Sequence, residues 1–408
     1  MESWIKSVHR KRYSANLAVL LAVVFVMASG VSPDTLSARG KPSVKGTAAR
    51  PQPATDLMPL YGQWRTFTTR DGLPSDKAFC VRVDGPTVWI GTDAGLARYE
   101  DGRWRTYTTE DGLAHHVVLA IDISPQTGDL WVATMGGLSR FSAGRFDTFT
   151  QFNSGLVNDV VYGVACVDDE VWAVTASGVS RLNTTTGQWK IYNEKNTPMH
   201  EIWTYGVTAE DDKVYIAVWG GGVLEYNRRT GRWREYRDPD KEMELDLYPH
   251  DGLVHDVVAS VSYVNGILWT GTYFGLNRYD GVRWWGYFDH DQPLVSNFIN
   301  FVKGRGSVVW ICTDKGLNSF DGTTWITYQR QENTGKGEVW VSKGGEVINR
   351  LQSESAIAHN FILGVDFQLV FCPGDERLAR REGGHRPDHA GLRQTPVSAR
   401  SASALPLR

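Results

Sequence analysis

Two columns of side chains in this 408-residue sequence have the residue types that bind ligands or metals. The first column is a pair of residues that follows a recurring Asp-Gly-Leu turn or its equivalent. Its members are Ser75-Asp76, His115-His116, Asn158-Asp159, His200-Glu201, His255-Asp256, Ser296-Asn297 and His359-Asn360. If the fold brings these imidazoles and carboxylates together, they would bind a divalent metal or an anionic ligand. The alternative is that these side chains cap their own turns by bonding to nearby backbone.

The second column is a pair of residues inside a recurring Thr-x-x-Gly-Leu phrase. The pairs are Asp93-Ala94, Met135-Gly136, Ala176-Ser177, Tyr273-Phe274 and Asp314-Lys315, with Trp219 at the matching place in "VWGGGV". The flanking residues repeat while this pair changes chemistry, which suits recognition by loops on a rigid scaffold. Aromatic members would stack on an apolar or sugar-like ligand (Trp219, Tyr273 and Phe274). Charged members would orient its polar groups (Asp93, Asp314 and Lys315). Ordinary loop variation is the alternative.

Four residues of the first column are the leading candidates for a shared site, because they come from neighbouring copies of the repeat: His200, Glu201, His255 and Asp256. Catalysis would need a nucleophile–base pair, paired carboxylates or a metal cluster. The sequence has no Gly-x-Ser-x-Gly, His-Glu-x-x-His, Cys-x-x-Cys or phosphate-loop motif. Binding is therefore favoured over catalysis. A lyase- or hydrolase-like enzyme that uses channel-mouth His and Glu with a metal remains the alternative, and a protein–protein scaffold is the third reading.

The elements that position both columns follow from a repeat of about 42 residues. "VWIGTDAGLARYEDG" starts at Val88, and similar phrases start at Leu130, Val171, Leu268 and Val309. Their central aromatic residues are Trp89, Trp131, Trp172, Tyr215, Trp269 and Trp310, at intervals of 42, 41, 43, 54 and 41 residues. A strand-only period of this length predicts an all-β propeller of four-stranded blades. The long interval reflects an acidic insertion, Arg237–His250, which either covers part of the mouth or is an idle loop.

Tryptophan usage fits the spaces between stacked blades. Five of the 16 tryptophans occupy the second strands, and six occupy the outermost strands: Trp64, Trp104, Trp189, Trp233, Trp284 and Trp325. Large flat side chains suit the gap between sheets, so we expect these eleven residues to form the core. Trp203 and Trp219 belong to neither set of core tryptophans.

We expect seven blades, of which six are complete. "QWRTFTT" (Gln63–Thr69) matches an outermost strand with nothing before it, and "AIAHNFILGVDF" (Ala356–Phe367) has the pattern of an innermost strand. Joining the two would close the ring without open sheet edges. The expected propeller spans residues 60–368. The tail, residues 369–408, lacks the repeat and is interpreted as disordered, degenerate or frameshifted.

The N-terminus has the layout of a secretory signal in residues 1–30. Basic residues precede the apolar run Leu17–Ala28, and small residues follow. Export to the periplasm or cell exterior is predicted, and an uncleaved inner-membrane anchor is the alternative. Residues 31–59 have the composition of a disordered linker. The net charge of −3 and pI of 6.4 exclude a basic surface for nucleic acid. The four cysteines are expected to be buried or free thiols.

The phrase "DGL…W-x-G-T-x-x-G-L-x-R-Y-D-G…W…Y" resembles the two-component regulator propeller repeat. The resemblance covers Gln63 to about Tyr328, with a fragment reaching Phe367. It implies an exported, sensor-type β-propeller that binds a small molecule or carbohydrate, with an envelope protein as a further partner. No kinase, receiver or DNA-binding segment follows the propeller in this sequence, which puts autonomous signalling in doubt.

Overall fold

The computed structural model describes residues 58, 60–239 and 252–367, together with the backbone of β1 (Ala22–Val26). These residues form strands and two 3-10 turns, Thr69–Asp71 and Thr109–Asp111. Within them, no helix is long and apolar enough to span a membrane. Most of the predicted signal segment and of the insertion lies outside the described residues, as do the linker (except Met58) and the tail.

Six antiparallel sheets follow one another along the chain, as the repeat predicts. The first blade contains β2 (Ala78–Asp84), β3 (Thr87–Thr92), β4 (Gly95–Glu100) and β5 (Arg103–Tyr107). The second contains β6 (Val118–Ile123), β7 (Leu130–Thr134), β8 (Gly137–Ser142) and β9 (Arg145–Phe149). The third contains β10 (Val161–Val167), β11 (Glu170–Thr175), β12 (Gly178–Asn183) and β13 (Trp189–Tyr192).

The remaining three blades have the same order. The fourth contains β14 (Thr204–Glu210), β15 (Lys213–Val218), β16 (Gly222–Asn227) and β17 (Arg232–Tyr236). The fifth contains β18 (Val258–Val264), β19 (Ile267–Thr272), β20 (Leu276–Tyr279) and β21 (Trp284–Tyr287). The sixth contains β22 (Ile299–Arg305), β23 (Val308–Thr313), β24 (Leu317–Phe320) and β25 (Thr324–Arg330), and it continues into β26 (Gly337–Lys343) and β27 (Glu346–Ser353).

A glycine at the turn between the second and third strands explains the repeated Gly-Leu. Gly95 has a φ of +133° and Gly137 a φ of +137°, values that favour glycine. A Cβ atom added at Gly95 would lie 2.6 Å from the backbone oxygen of Tyr107. The turn therefore packs directly against the outermost strand of its own blade, and a side chain at this position would push the two apart.

Tryptophans of the second strands form the cores between blades. Trp89, Trp131, Trp172, Trp269 and Trp310 are each at most 5% exposed. Of the six tryptophans predicted on outermost strands, Trp284 and Trp325 are buried, whereas Trp64, Trp104, Trp189 and Trp233 are half-buried. Cys312 is buried, and Cys80 and Cys166 are half-buried free thiols. Burial raises the pKa of Cys80 to about 12.

The predicted innermost strand near the C-terminus is β28 (Ile362–Phe367), which lies between β22 and β2. Its residue Asp366 joins both neighbours. The Oδ2 atom accepts a hydrogen bond of 2.8 Å from the backbone N–H of Val83, and Arg82 lies 3.8 Å away. On the other side, the Lys303 ammonium lies 3.9 Å from Oδ1. The ring of innermost strands is thus closed at a seventh position.

The prediction that Gln63–Thr69 forms the closing strand is corrected by the structure, because the segment is irregular as far as Thr68. Among the described residues, β28 pairs with β1, and no second or third strand of a seventh blade extends outward from β28 to this segment. Its side chains still pack. The Trp64 indole lies edge-on to Tyr328, and the Phe67 ring lies edge-on to Trp104. Six complete blades are therefore described, and a complete seventh blade is not.

Two strand pairings were not predicted from the sequence. The hairpin of β26 and β27 extends the sixth blade, and β27 forms its outer edge. The backbone of β1 pairs with β28 in parallel, with Ala22 opposite Ile362 and Val26 opposite Phe367. The outer side of β28 is therefore a sheet edge that accepts another strand.

Candidate functional site

The two predicted columns meet on one face of the propeller. In five blades, the first residue of the second column donates its backbone N–H to a carbonyl just before the innermost strand. These pairs are Asp93 to Lys77, Met135 to Val117, Ala176 to Val160, Trp219 to Trp203 and Asp314 to Phe298, at 2.9–3.3 Å. Both columns therefore lie around the mouth of the central channel, and we call this side the mouth face.

Most first residues of the first column bond to the backbone two residues ahead. The His115 Nδ1 atom accepts from the N–H of Val117 at 3.0 Å, and the His255 Nδ1 atom accepts from Val257 at 2.9 Å. The same bond is made by Ser75, Asn158, Ser296 and His359. Six of seven members thus stabilise the turn into the innermost strand, which is the local role given above as the alternative to ligand binding.

Second residues of the column also accept backbone hydrogen bonds. Asp76 accepts from Thr69, Asp159 from Gln151, Asp256 from Asp238, Asn297 from Asp289 and Asn360 from Arg330, at 2.7–2.8 Å. In the third, fifth and sixth blades, these bonds tie the loop that follows the preceding outermost strand to the next innermost strand. Asp256 is also paired with Arg237 at 2.8 Å.

The four leading candidates have different partners. The Nε2 atom of exposed His200 lies 3.5 Å from Glu235, whereas the His255 ring stacks on Phe274. Glu201 is exposed beside Gly221. Burial lowers the pKa of His255, and the nearby Asp256 opposes this shift only in part. Nδ1 of His255 already accepts a hydrogen bond, so Nε2 is the ring's remaining polar atom, and it carries the N–H when the ring is neutral.

Residues 58, 60–239 and 252–367 contain no group of three or more His, Cys, Asp or Glu side chains that could hold a metal ion. The stacked pair His115 and His116, with ring centroids 4.1 Å apart, lies face to face rather than around a common centre. Burial lowers the pKa of His115, and His116 lowers it further.

A chain of six aromatic rings crosses the mouth face from the third blade to the sixth. We call it the aromatic arc, and it consists of Tyr162, Trp203, Tyr205, Trp219, Tyr273 and Phe298. Tyr162 stacks on Tyr205 at 4.8 Å, and Tyr205 lies 5.3 Å from Trp219. The Trp219 ring meets Tyr273 edge-on at 4.9 Å, and Tyr273 stacks on Phe298 at 3.8 Å. Trp203 contacts Tyr162 and Trp219 at 6.0 and 6.2 Å.

The aromatic arc lies outside the hydrophobic clusters between the blades. Trp203 is 42% exposed, and the other five rings are half-buried. Trp219 and Tyr273 were predicted as ligand-binding residues. Tyr162, Tyr205 and Phe298 were missed, and their signal was an aromatic residue at or just before the start of an innermost strand. Phe274, the remaining aromatic candidate, stacks on His255 at 4.0 Å.

The charged members of the second column differ in their pairing. Asp93 lies 3.5 Å from the Lys77 ammonium in the first blade. Asp314, at the same turn position in the sixth blade, has a buried Oδ1 atom that accepts no hydrogen bond from the described residues. The backbone N–H of Lys315 is held by Thr313, and its carbonyl accepts from Gln329. The backbone bond from Asp314 to the carbonyl of Phe298 places Asp314 next to that end of the aromatic arc.

Comparison with known proteins supports the fold. No protein-family model matches the sequence, and no curated protein matches it. A similar solved structure is the extracellular domain of the putative hybrid two component system BT3049 from B. thetaiotaomicron, at 18% identity and a TM-score of 0.53. The match covers 72% of this chain and 42% of that chain, so this chain spans less than half of its length.

Two further structures match with TM-scores below 0.5. The extracellular domain of the putative hybrid two component system BT4673 from B. thetaiotaomicron is 17% identical, with a TM-score of 0.36, and the match covers 67% of this chain and 51% of that chain. The computationally designed Ika8 protein is 11% identical, with a TM-score of 0.47, and the match covers 72% and 91% of the two chains. The fold is a β-propeller similar to that of the BT3049 extracellular domain.

Proposed function

We propose that this chain is an exported, sensor-type β-propeller that binds a carbohydrate at the mouth face. The observation that carries the proposal is the aromatic arc. Its rings stand outside the inter-blade cores and leave partly exposed apolar area at the mouth of a rigid ring. Ligand sites are typically concave and rich in aromatic residues with a few polar groups.

Carbohydrate is the ligand class that suits such a surface. A pyranose ring has a flat C–H face, which packs on an aromatic ring, and hydroxyl groups around its edge. Trp203 and Trp219 offer the largest rings of the aromatic arc, and each bulky aromatic residue can bury a large apolar area. Exposed Glu201, beside Gly221, is the polar partner that we propose for the hydroxyl groups.

Export is part of the proposal. The basic residues before Leu17–Ala28 and the small residues after it support a secretory signal. The likeness to an extracellular domain of a two component system agrees with a position outside the cytoplasm. A signalling partner in the envelope would then receive the ligand-dependent change, and a complete seventh blade around β28 would finish the ring.

A thermal-shift screen tests the proposal on the full chain. Cellotriose, maltotriose, chitotriose and N-acetylated chitotriose are added separately, and the midpoint of unfolding is measured. A ligand at 100 times its dissociation constant adds about 2.7 kcal/mol to stability. We expect at least one sugar to raise the midpoint in the wild type and not in Trp219→Ala. No shift with any sugar would overturn the proposal.

A matched control separates the mouth from the rest of the surface. Trp285 is a half-buried tryptophan on the outermost strand of the fifth blade, below the guanidinium of Arg278. Trp285→Ala removes the same side chain at the perimeter, so it should keep the ligand-dependent shift. A shift that survives in both variants would place the site elsewhere.

A further inference from the structure

A buried carboxylate oxygen without a partner lies at one end of the aromatic arc. Asp314 is in the turn between β23 and β24, where its backbone N–H bonds to the carbonyl of Phe298 at 3.3 Å. Phe298 in turn stacks on Tyr273 at 3.8 Å. The Oδ1 atom of Asp314 is buried and accepts no hydrogen bond from the part of the chain that is described.

The equivalent residue in the first blade has a partner. Asp93 occupies the same turn position, and its carboxylate lies 3.5 Å from the ammonium of Lys77. In the sixth blade the residue that matches Lys77 is Phe298, whose side chain is uncharged. Within the described residues, no ion pair joins Asp314 to the adjacent Lys315. The chain therefore places an unpaired acid where another blade has a paired one.

An unpaired buried acceptor costs stability, so such a group in a folded protein calls for a partner. The partner that satisfies a carboxylate best is a cationic N–H donor. Aromatic faces also attract cations, because the ring quadrupole is negative above the ring plane. Asp314 and the rings of Tyr273 and Phe298 therefore favour the same chemistry, which is a protonated amine.

We propose that the mouth face recognises a sugar with a primary amine, with the ammonium bound to the carboxylate of Asp314, a residue that is only half-buried, and the sugar rings packed along the aromatic arc. This inference rests on the proposed function and narrows its ligand class from carbohydrates to amino sugars. Asp314 determines the specificity, and the aromatic arc supplies contact area that neutral sugars share.

Isothermal titration calorimetry with two matched trisaccharides tests the inference on the full chain. Chitotriose and cellotriose have the same β-1,4 backbone, and differ by an amine or a hydroxyl at carbon 2 of each ring. At about pH 6 the amines are largely protonated. We expect chitotriose to bind the wild type about tenfold more tightly, which corresponds to about 1.4 kcal/mol. Equal affinities would overturn the inference.

Three variants assign the preference to a residue. Asp314→Asn keeps the shape and removes the charge, so the affinity ratio should fall to about one while cellotriose binding stays within about twofold. Asp93→Asn removes the paired acid and should leave the tenfold ratio unchanged. Trp219→Ala should weaken both sugars together. A ratio that survives Asp314→Asn, or is lost in Asp93→Asn, would contradict the assignment to Asp314.

The two failures can be told apart. Binding of both trisaccharides without an amine preference rejects the inference and leaves the proposed carbohydrate site intact. No binding of either trisaccharide rejects the amino-sugar inference, and the other sugars of the thermal-shift screen then decide the proposed function. Asp314→Asn should not lower the midpoint of unfolding, because it removes an unpaired buried charge rather than a contact.

Discussion

The imidazole of His255 stacks on the ring of Phe274, with centroids 4.0 Å apart and planes 25° apart. The first residue belongs to one predicted column and the second to the other. In the third blade the same two positions are joined differently, since the Nδ2 atom of Asn158 donates to Ser177 Oγ at 3.2 Å. In these two blades the two columns therefore form one layer of side chains. These contacts stabilise the turns that carry residues of the aromatic arc.

Replacing His255 should separate its turn-stabilising role from its stacking role. Asn accepts the Val257 N–H as Asn158 does in its own blade, whereas Ala cannot. We expect His255→Asn to be more stable than His255→Ala by about 1 kcal/mol, the net value of one hydrogen bond. Urea unfolding of both variants measures the difference. Equal stabilities would mean that the bond to Val257 contributes nothing.

Acidification should destabilise the protein through three histidines. Burial lowers the pKa of His115, His255 and His359 below the ordinary value of about 6.5. The unfolded chain then binds protons more readily than the folded chain, so the free energy of unfolding falls as the pH drops below about 6.5. The triple His→Asn variant should lose most of this slope between about pH 7 and 5. An unchanged slope would assign it to other groups.

The sequence predicted the repeat, the six blades and the buried second-strand tryptophans, because strand period and core packing recur in every copy. It also predicted which turns surround the channel. The missing part of the site has a physical reason. Tyr162, Tyr205 and Phe298 occupy positions that carry small, polar or aliphatic residues in most other copies, so no repeated pattern singles them out. Only contact between neighbouring blades makes them one surface.

Asp366 should contribute strongly to ring closure. It bonds to the backbone of Val83 and lies near Arg82 and Lys303 on the two flanking strands. Asp366→Ala should lower the free energy of unfolding by about 2–3 kcal/mol, because it leaves a charged partner and an N–H unsatisfied. Asp366→Asn should recover part of the loss by accepting the Val83 N–H.

Asp84, an exposed residue at the end of β2, provides the control for Asp366. Asp84→Ala should change the stability by less than about 0.5 kcal/mol. Guanidinium unfolding of the three variants measures the contributions. Wild-type stability in Asp366→Ala would contradict the placement of β28 between β22 and β2.

The closing segment shows where sequence pattern was insufficient. Gln63–Thr69 has the residues of an outermost strand, but such a strand pairs with the third strand of its own blade, and none is described beside it. Trp64 instead donates its backbone N–H to Ser355 Oγ at 2.8 Å and packs on Tyr328. Aromatic pattern therefore predicted the packing of this segment correctly, and its hydrogen bonding incorrectly.

The edge strand β27 should promote self-association. Val347, Ile348 and Leu351 are 48%, 61% and 41% exposed, and exposed apolar edges tend to pair with other chains. Ile348 is the extra residue of a bulge, since Val341 pairs with Asn349 and Ser342 pairs with Val347. Ile348→Lys should reduce light scattering at high protein concentration and leave the unfolding midpoint unchanged. Unchanged scattering would show that this edge is already protected.

Carbene footprinting with mass spectrometry tests the central claim most directly, namely that the aromatic arc is the ligand site. The probe is the sugar that gives the largest thermal shift. We predict that its binding reduces labelling of Trp203, Trp219 and Tyr273 by more than about half. Phe152 lies in the loop after β9, and Val282 lies in the turn between β20 and β21, on the opposite face. Both side chains are about nine-tenths exposed and should be labelled as before. Protection at Val282 with no change at Trp203 and Trp219 would contradict the account.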